Sequence, residues 1–278
     1  MANIGVRAHD FGRMEPEALA MTLSKAGFTT SQLALTKAIT GVESLADVDS
    51  SLLKRIKEAF NKHSVEIGVL GCYMEIGLPD KEARLSEVDK FLTGLSYANA
   101  IGAKLTGTET TNFKTSSMEG TLSREQTYQN LKDSVLRMTE RAEELGVDIG
   151  IEPVADHTLN SAELTKRLID EVNSKRLHLI FDPVNMILTQ SDIERQEEIY
   201  QEFTDMLGDN ILALHVKDIV MENDIKIWSA IGKGDIRYTK IADWLHLTGR
   251  SIPILREEIK PDSAALDRQA MMEFFGFS

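Results

Sequence analysis

Four side chains that can bind a metal ion recur at nearly regular intervals in the second half of the chain. They are Glu152, Asp182, His215 and Glu257, and the intervals between them are 30, 33 and 42 residues. Each follows a β-rich run, on the face opposite its Val, Ile, Leu and Phe residues. Carboxylate oxygens with one imidazole favour Mn²⁺ as the first choice, then Mg²⁺ or Co²⁺, and they also accommodate Zn²⁺. The sequence therefore predicts a divalent metal site.

The two glutamates of this set, Glu152 and Glu257, are also the predicted catalytic groups. A carboxylate that binds an ion through one oxygen keeps its other oxygen available as a base. Two such groups on opposite sides of a ketose can remove a proton from one face and return it to the other, which is epimerisation. Return to the neighbouring carbon is aldose–ketose isomerisation. The ion would stabilise the enediolate between the two steps, and each positioned acid or base contributes roughly 10²–10⁴-fold.

A simpler interpretation is that these are separate polar residues, solvated at the ends of strands. For a single residue that interpretation would be preferred. Here four such residues follow four successive β-rich runs, and each lies on the face opposite the apolar residues of its run. This regularity favours a shared site instead. Three carboxylates packed together would raise one another's pKa unless a cation lay among them.

Four further polar residues are predicted substrate contacts: His157, Asn185, Lys217 and Lys233. Lys217 lies two residues after His215 and therefore on the same face of the strand. Lys233 lies between two glycines in a turn where it could bind a phosphate. Each also has a structural interpretation, as a surface, charge-neutralising or turn residue. Other polar residues at strand ends are interpreted as structural or rim residues: Arg7, His9 and Glu109.

The elements that must position these residues alternate between short β-rich runs and longer amphipathic runs, eight times along the chain. Strands are predicted over 4–9, 31–35, 66–72, 104–108, 147–154, 177–182, 211–217 and 252–257. Helices are predicted over 16–26, 51–61, 81–101, 124–145, 162–172, 193–207 and 266–275, with one more ending near residue 247 after a loop over 218–237. Eight such units predict a (β/α)8 TIM barrel, one α/β domain covering residues 1–278. A doubly wound open sheet is less favoured, because the first βα junction lacks a glycine-rich phosphate-binding turn.

Composition excludes several classes of protein. The 31 Lys and Arg residues against 44 Asp and Glu residues give a net charge of −13, which disfavours nucleic acid as a partner. One cysteine, Cys72, excludes an internal disulfide framework and a thiolate metal cluster. No apolar run approaches the roughly 20 residues that span a bilayer, and the first residues lack the apolar segment of a signal peptide. We expect a cytoplasmic protein without a membrane partner, and a homo-oligomer remains open.

The sequence resembles the xylose-isomerase-like barrels, a family of sugar and sugar-phosphate isomerases and epimerases, over nearly its whole length. The segments that carry the resemblance include Glu144-Leu145-Gly146-Val147, Ile151-Glu152-Pro153, Phe181-Asp182-Pro183, His215-Val216-Lys217-Asp218 and Gly232-Lys233-Gly234-Asp235. The resemblance implies that the four predicted ligands hold a divalent metal and that the two glutamates take part in proton transfer. Many relatives have a histidine three residues after the strand-six aspartate. Here that residue is Asn185, whose amide can hydrogen-bond a substrate hydroxyl but cannot shuttle a proton.

The predicted function is a divalent-metal-dependent isomerase or epimerase acting on a small sugar, free or phosphorylated. One alternative is a metal-dependent dehydratase of a keto-inositol or polyol, since the same base and metal could expel a β-hydroxyl after enolisation. An abasic-site endonuclease is less favoured, because its metal cluster is richer in histidine and only six histidines are scattered along this acidic chain. A non-enzymatic sugar-binding barrel is the last alternative, and the intact set of four ligands argues against it.

Overall fold

A closed barrel of parallel strands forms the centre of the computed structural model, which describes residues 3–276. The strands of this region are β1 (Ile4–Arg7), β2 (Thr30–Leu33), β3 (Glu66–Gly71), β4 (Leu105–Glu109), β5 (Asp148–Glu152), β6 (Leu177–Phe181), β7 (Ile211–Val216), β8 (Asp218–Glu222), β9 (Ile225–Ser229) and β10 (Ile254–Arg256). β1 to β7 pair in sequence order, and β10 closes the barrel between β7 and β1. The predicted TIM barrel is confirmed. The predicted domain, residues 1–278, extends at both ends beyond the described residues.

Helices cover the outside of the barrel. They are α1 (Pro16–Lys25), α2 (Leu35–Ala38), α3 (Ser50–Lys62), α4 (Lys81–Ile101), α5 (Phe113–Ser116), α6 (Arg124–Leu145), α7 (Ala162–Val172), α8 (Gln190–Glu194), α9 (Gln196–Leu207), α10 (Thr239–Thr248) and α11 (Ala264–Phe274). In α6, Ser123 and Gln126 form a capping box at the start, and Gly146 ends the helix in the left-handed conformation. Between residues 3 and 276, none of the helices has the length and apolarity that crossing a membrane requires.

The barrel strands separate two apolar layers. The larger layer lies between strands and helices, and a smaller one fills the barrel: Val69, Leu105, Ile180, Ala213 and Leu255. Gly150 makes room for this filling, since a Cβ there would lie 2.7 Å from Leu105 Cδ2. Each predicted metal ligand follows an inward-facing residue by two positions, and therefore faces the barrel axis: Glu152 after Gly150, Asp182 after Ile180, His215 after Ala213 and Glu257 after Leu255.

The segment after β7 differs from the expectation. The prediction of a loop over residues 218–237 is wrong for the first half of that segment, because β8 and β9 form an antiparallel hairpin there. Asn223 and Asp224 form its two-residue turn with φ angles of 51° and 60°. Asn and Asp tolerate this left-handed conformation, so the sequence does contain a hairpin signal. The hairpin stands at the same end of the barrel as the predicted ligands.

Candidate active site

Three of the predicted metal ligands come together at the carboxyl end of the barrel. Glu152 ends β5, Asp182 directly follows β6, and His215 is the penultimate residue of β7. One donor atom from each lies within 4.8 Å of the other two, and all three side chains are buried. Alternation along three neighbouring strands thus produces one compact group of ligands.

Within residues 3–276, Glu152 Oε2, Asp182 Oδ2 and both ring nitrogens of His215 make no hydrogen bond of good geometry. Their close neighbours are charged groups of the same cluster, since His215 Nδ1 lies 3.2 Å from Glu152 Oε2 and the Lys217 ammonium 2.6 Å from Asp182 Oδ2. An unsatisfied buried polar atom costs about 1–3 kcal/mol, and more if it is charged. Two carboxylate oxygens and one imidazole nitrogen are a ligand set for Mn²⁺, Mg²⁺, Co²⁺ or Zn²⁺. The residues present therefore fit a divalent metal ion.

Glu257, the fourth predicted ligand, lies beside this group and not within it. Its Oε1 is 3.4 Å from His215 Nδ1, which is itself 3.2 Å from Glu152 Oε2. The other oxygen of Glu257 is 3.1 Å from Lys217 Nζ and 3.5 Å from Arg7 Nη1. One oxygen therefore faces the imidazole while two cations hold the other.

Lys217 neutralises two of the carboxylates directly. Its ammonium lies 2.6 Å from Asp182 Oδ2 as well as 3.1 Å from Glu257 Oε2. Tyr238 fixes the backbone of this residue, since its hydroxyl donates to the Lys217 carbonyl at 2.6 Å and accepts from the Lys217 N–H at 3.1 Å. The predicted substrate contact is thus located inside the carboxylate cluster.

The electrostatics of the cluster distinguish its two glutamates. Burial raises the pKa of Glu152, although His215 opposes the shift. Burial would also raise the pKa of Glu257, but His215, Lys217 and Arg7 hold it well below its usual range. Burial would lower the pKa of His215, yet the two glutamates raise it to about 9. Glu152 is therefore the more basic carboxylate, and Glu257 is firmly ionised.

Asn185 acts on Glu152 in this structure. It belongs to a 3₁₀ turn over Pro183–Met186, which Asp182 caps by accepting from the N–H groups of Val184 and Asn185. The amide Nδ2 of Asn185 donates to Glu152 Oε1 at 2.7 Å. The residue predicted to contact substrate therefore fixes the orientation of a carboxyl group, through a contact between the turn after β6 and the end of β5.

The other two predicted substrate contacts lie apart from the cluster. His157 is mostly buried, and its Nε2 is 3.8 Å from Asp156. Lys233 is exposed. In the described part of the chain, no hydrogen bond or ion pair joins either side chain to the carboxylate cluster.

The β1–β4 side of the barrel mouth contains polar residues that the sequence analysis assigned to the rim or did not single out. The Cα of Glu109 pairs in register with that of Glu152, and both side chains face the same way. Burial, together with the Glu152 charge, raises the pKa of Glu109 to about 8. Gln32 Nε2 donates to the Tyr73 hydroxyl. Alternation along β2 and β4 could have identified Gln32 and Glu109 as residues that face the barrel axis. Tyr73 lies beyond the end of β3, where alternation no longer applies.

Asp218 ties the segments after β7 together. Its Oδ1 accepts from the N–H groups of Ile219 and Ile236, and its Oδ2 from those of Gly232 and Gly234, at 2.8–3.3 Å. A Cβ at Gly234 would lie 2.2 Å from Asp218 Oδ1, so only glycine permits this approach. The His-x-Lys-Asp and Gly-x-Gly-Asp segments are therefore one structural unit around a carboxylate.

Asp218→Asn is expected to lower the free energy of unfolding by about 1–3 kcal/mol, because an amide cannot accept all four hydrogen bonds and leaves buried N–H groups unpaired. Urea unfolding measures this change. The matched control is Asp209→Asn, at a fully exposed carboxylate, which should leave the transition unchanged. Equal stability of the two variants would contradict the structural role of Asp218.

Comparisons with known proteins agree with this architecture. A family described as xylose isomerase-like TIM barrel matches residues 22–274. No curated protein matches the chain in sequence. A solved D-tagatose 3-epimerase-like protein superposes with a TM-score of 0.80 at 15% identity, over 99% of this chain and 97% of that one.

Two further solved structures have the same barrel. The 3-keto-D-glucoside 4-epimerase from E. coli gives a TM-score of 0.73 at 17% identity, over 97% of this chain and 100% of that one. A xylose isomerase-like TIM barrel protein from Mycobacterium smegmatis, in complex with magnesium, gives 0.75 at 15% identity, over 99% and 97% of the two chains. At these identities the likeness shows the shared fold.

Proposed function

The chain belongs to the xylose isomerase-like TIM barrel family, and on that premise we propose that it is a divalent-metal-dependent isomerase or epimerase of a small sugar. The observation that carries the proposal is the buried group of Glu152, Asp182 and His215, whose donor atoms lie within 4.8 Å of one another. A second glutamate, Glu257, stands 3.4 Å from the imidazole of the same group.

We assign the metal to Glu152, Asp182 and His215, with Glu257 as the fourth ligand. When bound, a divalent ion polarises the substrate carbonyl and stabilises negative charge on its oxygen. Mn²⁺ is our first choice for this oxygen-rich set, with Mg²⁺, Co²⁺ and Zn²⁺ as alternatives. Lys217 contacts Asp182 and Glu257 and helps to hold the pKa of Glu257 well below its usual range, so that this carboxyl is ionised as a ligand must be.

We assign the two proton transfers to Glu152 and Glu257. The two residues extend from β5 and from the end of β10, with β6 and β7 between them, so they approach a substrate from different sides. One glutamate takes the proton from the carbon beside the carbonyl. The other returns a proton to the opposite face in an epimerisation, or the proton goes to the neighbouring carbon in an isomerisation. Asn185 keeps the Glu152 carboxyl in a fixed orientation for this transfer.

Deuterium exchange tests the proposal. The protein loaded with Mn²⁺ is incubated in D₂O with a panel of ketoses, and carbon-bound deuterium is followed by NMR. We expect deuterium in an epimer or aldose product without loss of water. Release of water with a new enol or diketone would instead establish the dehydratase, and nicking of abasic duplex would establish the endonuclease. No exchange on any ketose with any of the four metals would contradict the proposal.

A further inference from the structure

We propose that Trp228, on strand β9 of the hairpin, forms an aromatic wall of the substrate site and binds the sugar through its carbon-bound hydrogens. This inference rests on the proposed function and adds a substrate-binding residue to it. Three features carry it: the face of the hairpin on which Trp228 lies, the position of its ring beside the carboxylate cluster, and the contacts that hold the hairpin in place.

One face of the hairpin β8–β9 is turned toward the barrel mouth. Trp228 pairs directly with Ile219, and residues that are directly opposite in an antiparallel pair share a face. Lys226 and Met221 form the next pair on this face. Ile219 and Met221 are buried, and Lys226 donates to the Val184 carbonyl, in the 3₁₀ turn after β6. Trp228 therefore lies on the side of the hairpin that faces the site.

The ring of Trp228 stands beside the carboxylate cluster. The ammonium nitrogen of Lys217, a buried residue, is 5.7 Å from the centre of the ring. The same nitrogen is 2.6 Å from Asp182 Oδ2. A cation that stacks directly on a ring in this protein lies closer, since the Arg124 guanidinium carbon is 3.8 Å from the centre of the Phe113 ring. The indole therefore borders the cluster without being covered by its cation.

Trp228 is 51% exposed, although it lies on the face of the hairpin that is turned toward the mouth. A single exposed apolar residue is ordinary on an outer surface, but small-molecule sites combine aromatic walls with a few convergent polar groups. This ring stands beside such polar groups. The carbon-bound hydrogens of a sugar carry partial positive charge and pack on the negative face of an aromatic ring. Covering the indole with them removes apolar surface from water, which favours binding.

Hydrogen bonds hold the hairpin in this position. At its tip, Asp224 Oδ1 accepts from the N–H of Gln190 at 2.7 Å. In β8, the N–H of Met221 donates to Asp235 Oδ2 at 2.8 Å. Lys226 adds the contact between β9 and the turn after β6, at 2.9 Å. The wall is thus formed before a substrate binds, which lowers the entropy cost of binding.

Replacement of the ring tests the wall. Deuterium exchange by the Mn²⁺-loaded protein is measured on the ketose of the panel that exchanges fastest, D-fructose and D-xylulose included. Trp228→Ala is expected to raise KM for this ketose by about 10-fold or more, with a much smaller change in kcat, because the ring contacts carbons that do not react. Trp228→Phe keeps an aromatic face and should recover most of the affinity. Metal content should be the same in all these proteins.

The matched control is Ile227→Ala, at a 45% exposed apolar residue of the same strand that lies on the opposite face. It should leave KM unchanged. An equal rise of KM in Ile227→Ala would show that the hairpin is needed as a whole, and would overturn the role of the ring. Unchanged KM in Trp228→Ala would overturn it as well, as would a loss confined to kcat.

Tryptophan fluorescence tests the contact in the unaltered protein, so it does not depend on the folding of a variant. The chain has two tryptophans, and the other, Trp244, is buried against Gly208, which precedes β7 at the opposite end of the barrel. The same ketose should change the emission of the unaltered protein and saturate near KM. In Trp228→Phe, where Trp244 alone emits, it should cause no change.

Unchanged emission of the unaltered protein at a saturating concentration of this ketose would overturn the inference and leave the proposed function intact. Absence of exchange on every ketose of the panel would instead contradict the proposed function, and this inference with it.

Discussion

Glu152→Gln is expected to slow deuterium exchange by about 10³–10⁴-fold and to reduce the amount of metal bound. Two effects combine, because the residue is both a proposed ligand and a proposed acid or base. Positioned acid–base catalysis alone accounts for roughly 10²–10⁴-fold. The amide also brings an uncharged group into a cluster in which His215 lies 3.2 Å from the Glu152 carboxylate, which weakens the negative field that attracts a cation. Exchange rates by NMR and metal content by elemental analysis measure the two effects separately.

The matched control for this variant is Glu58→Gln, which makes the same chemical change on the outer helix α3. It should retain both exchange and metal. Glu257→Gln should also lose exchange, although its partners Lys217 and Arg7 would be left without their carboxylate. Near-normal turnover together with near-normal metal content in both Glu152→Gln and Glu257→Gln would show that the site assignment is wrong.

The architecture could be predicted because it depends on periodicity that is local in sequence. Eight alternations of β-rich and amphipathic runs predict a closed parallel barrel, and the barrel strands lie within a few residues of their predicted bounds. The sequence does not predict the hairpin β8–β9, because its turn, Asn223-Asp224, lacks the glycine that usually identifies a two-residue turn. His9 shows the limit at strand ends, since the chain turns into a 3₁₀ helix after Arg7.

The inner face of the site could be predicted for the same reason. Alternation within a strand specifies which side a residue faces, and that rule places Glu152 and His215 correctly without any knowledge of their partners. The same rule, applied to β4, identifies Glu109. Contacts between different βα units follow no such period. The hydrogen bond from Asn185 to Glu152 joins two different βα units, so neither local sequence predicts it.

Asp267→Asn is expected to lower the free energy of unfolding by about 3–5 kcal/mol, because it leaves a buried guanidinium without its counter-charge. Arg256 interrupts the outward apolar face of β10, and its side chain is 1% exposed. Its Nε donates to Asp267 Oδ2 of α11 at 2.8 Å. Urea unfolding measures the loss. The matched control, Asp262→Asn, changes an exposed carboxylate just before α11 and should leave the transition in place.

This ion pair also connects packing to the site. The guanidinium donates to the carbonyl oxygen of Glu257, so the pair between β10 and α11 holds the backbone of a proposed catalytic residue. Partial unfolding of this region in Asp267→Asn should therefore raise KM and lower kcat before the barrel unfolds globally.

The double variant Arg256→Met/Asp267→Leu removes both buried charges and should recover much of the stability, since apolar replacements of buried pairs are often neutral. It should not recover full activity, because the contact with the Glu257 carbonyl is lost. Recovery of both stability and activity would show that the pair serves packing alone.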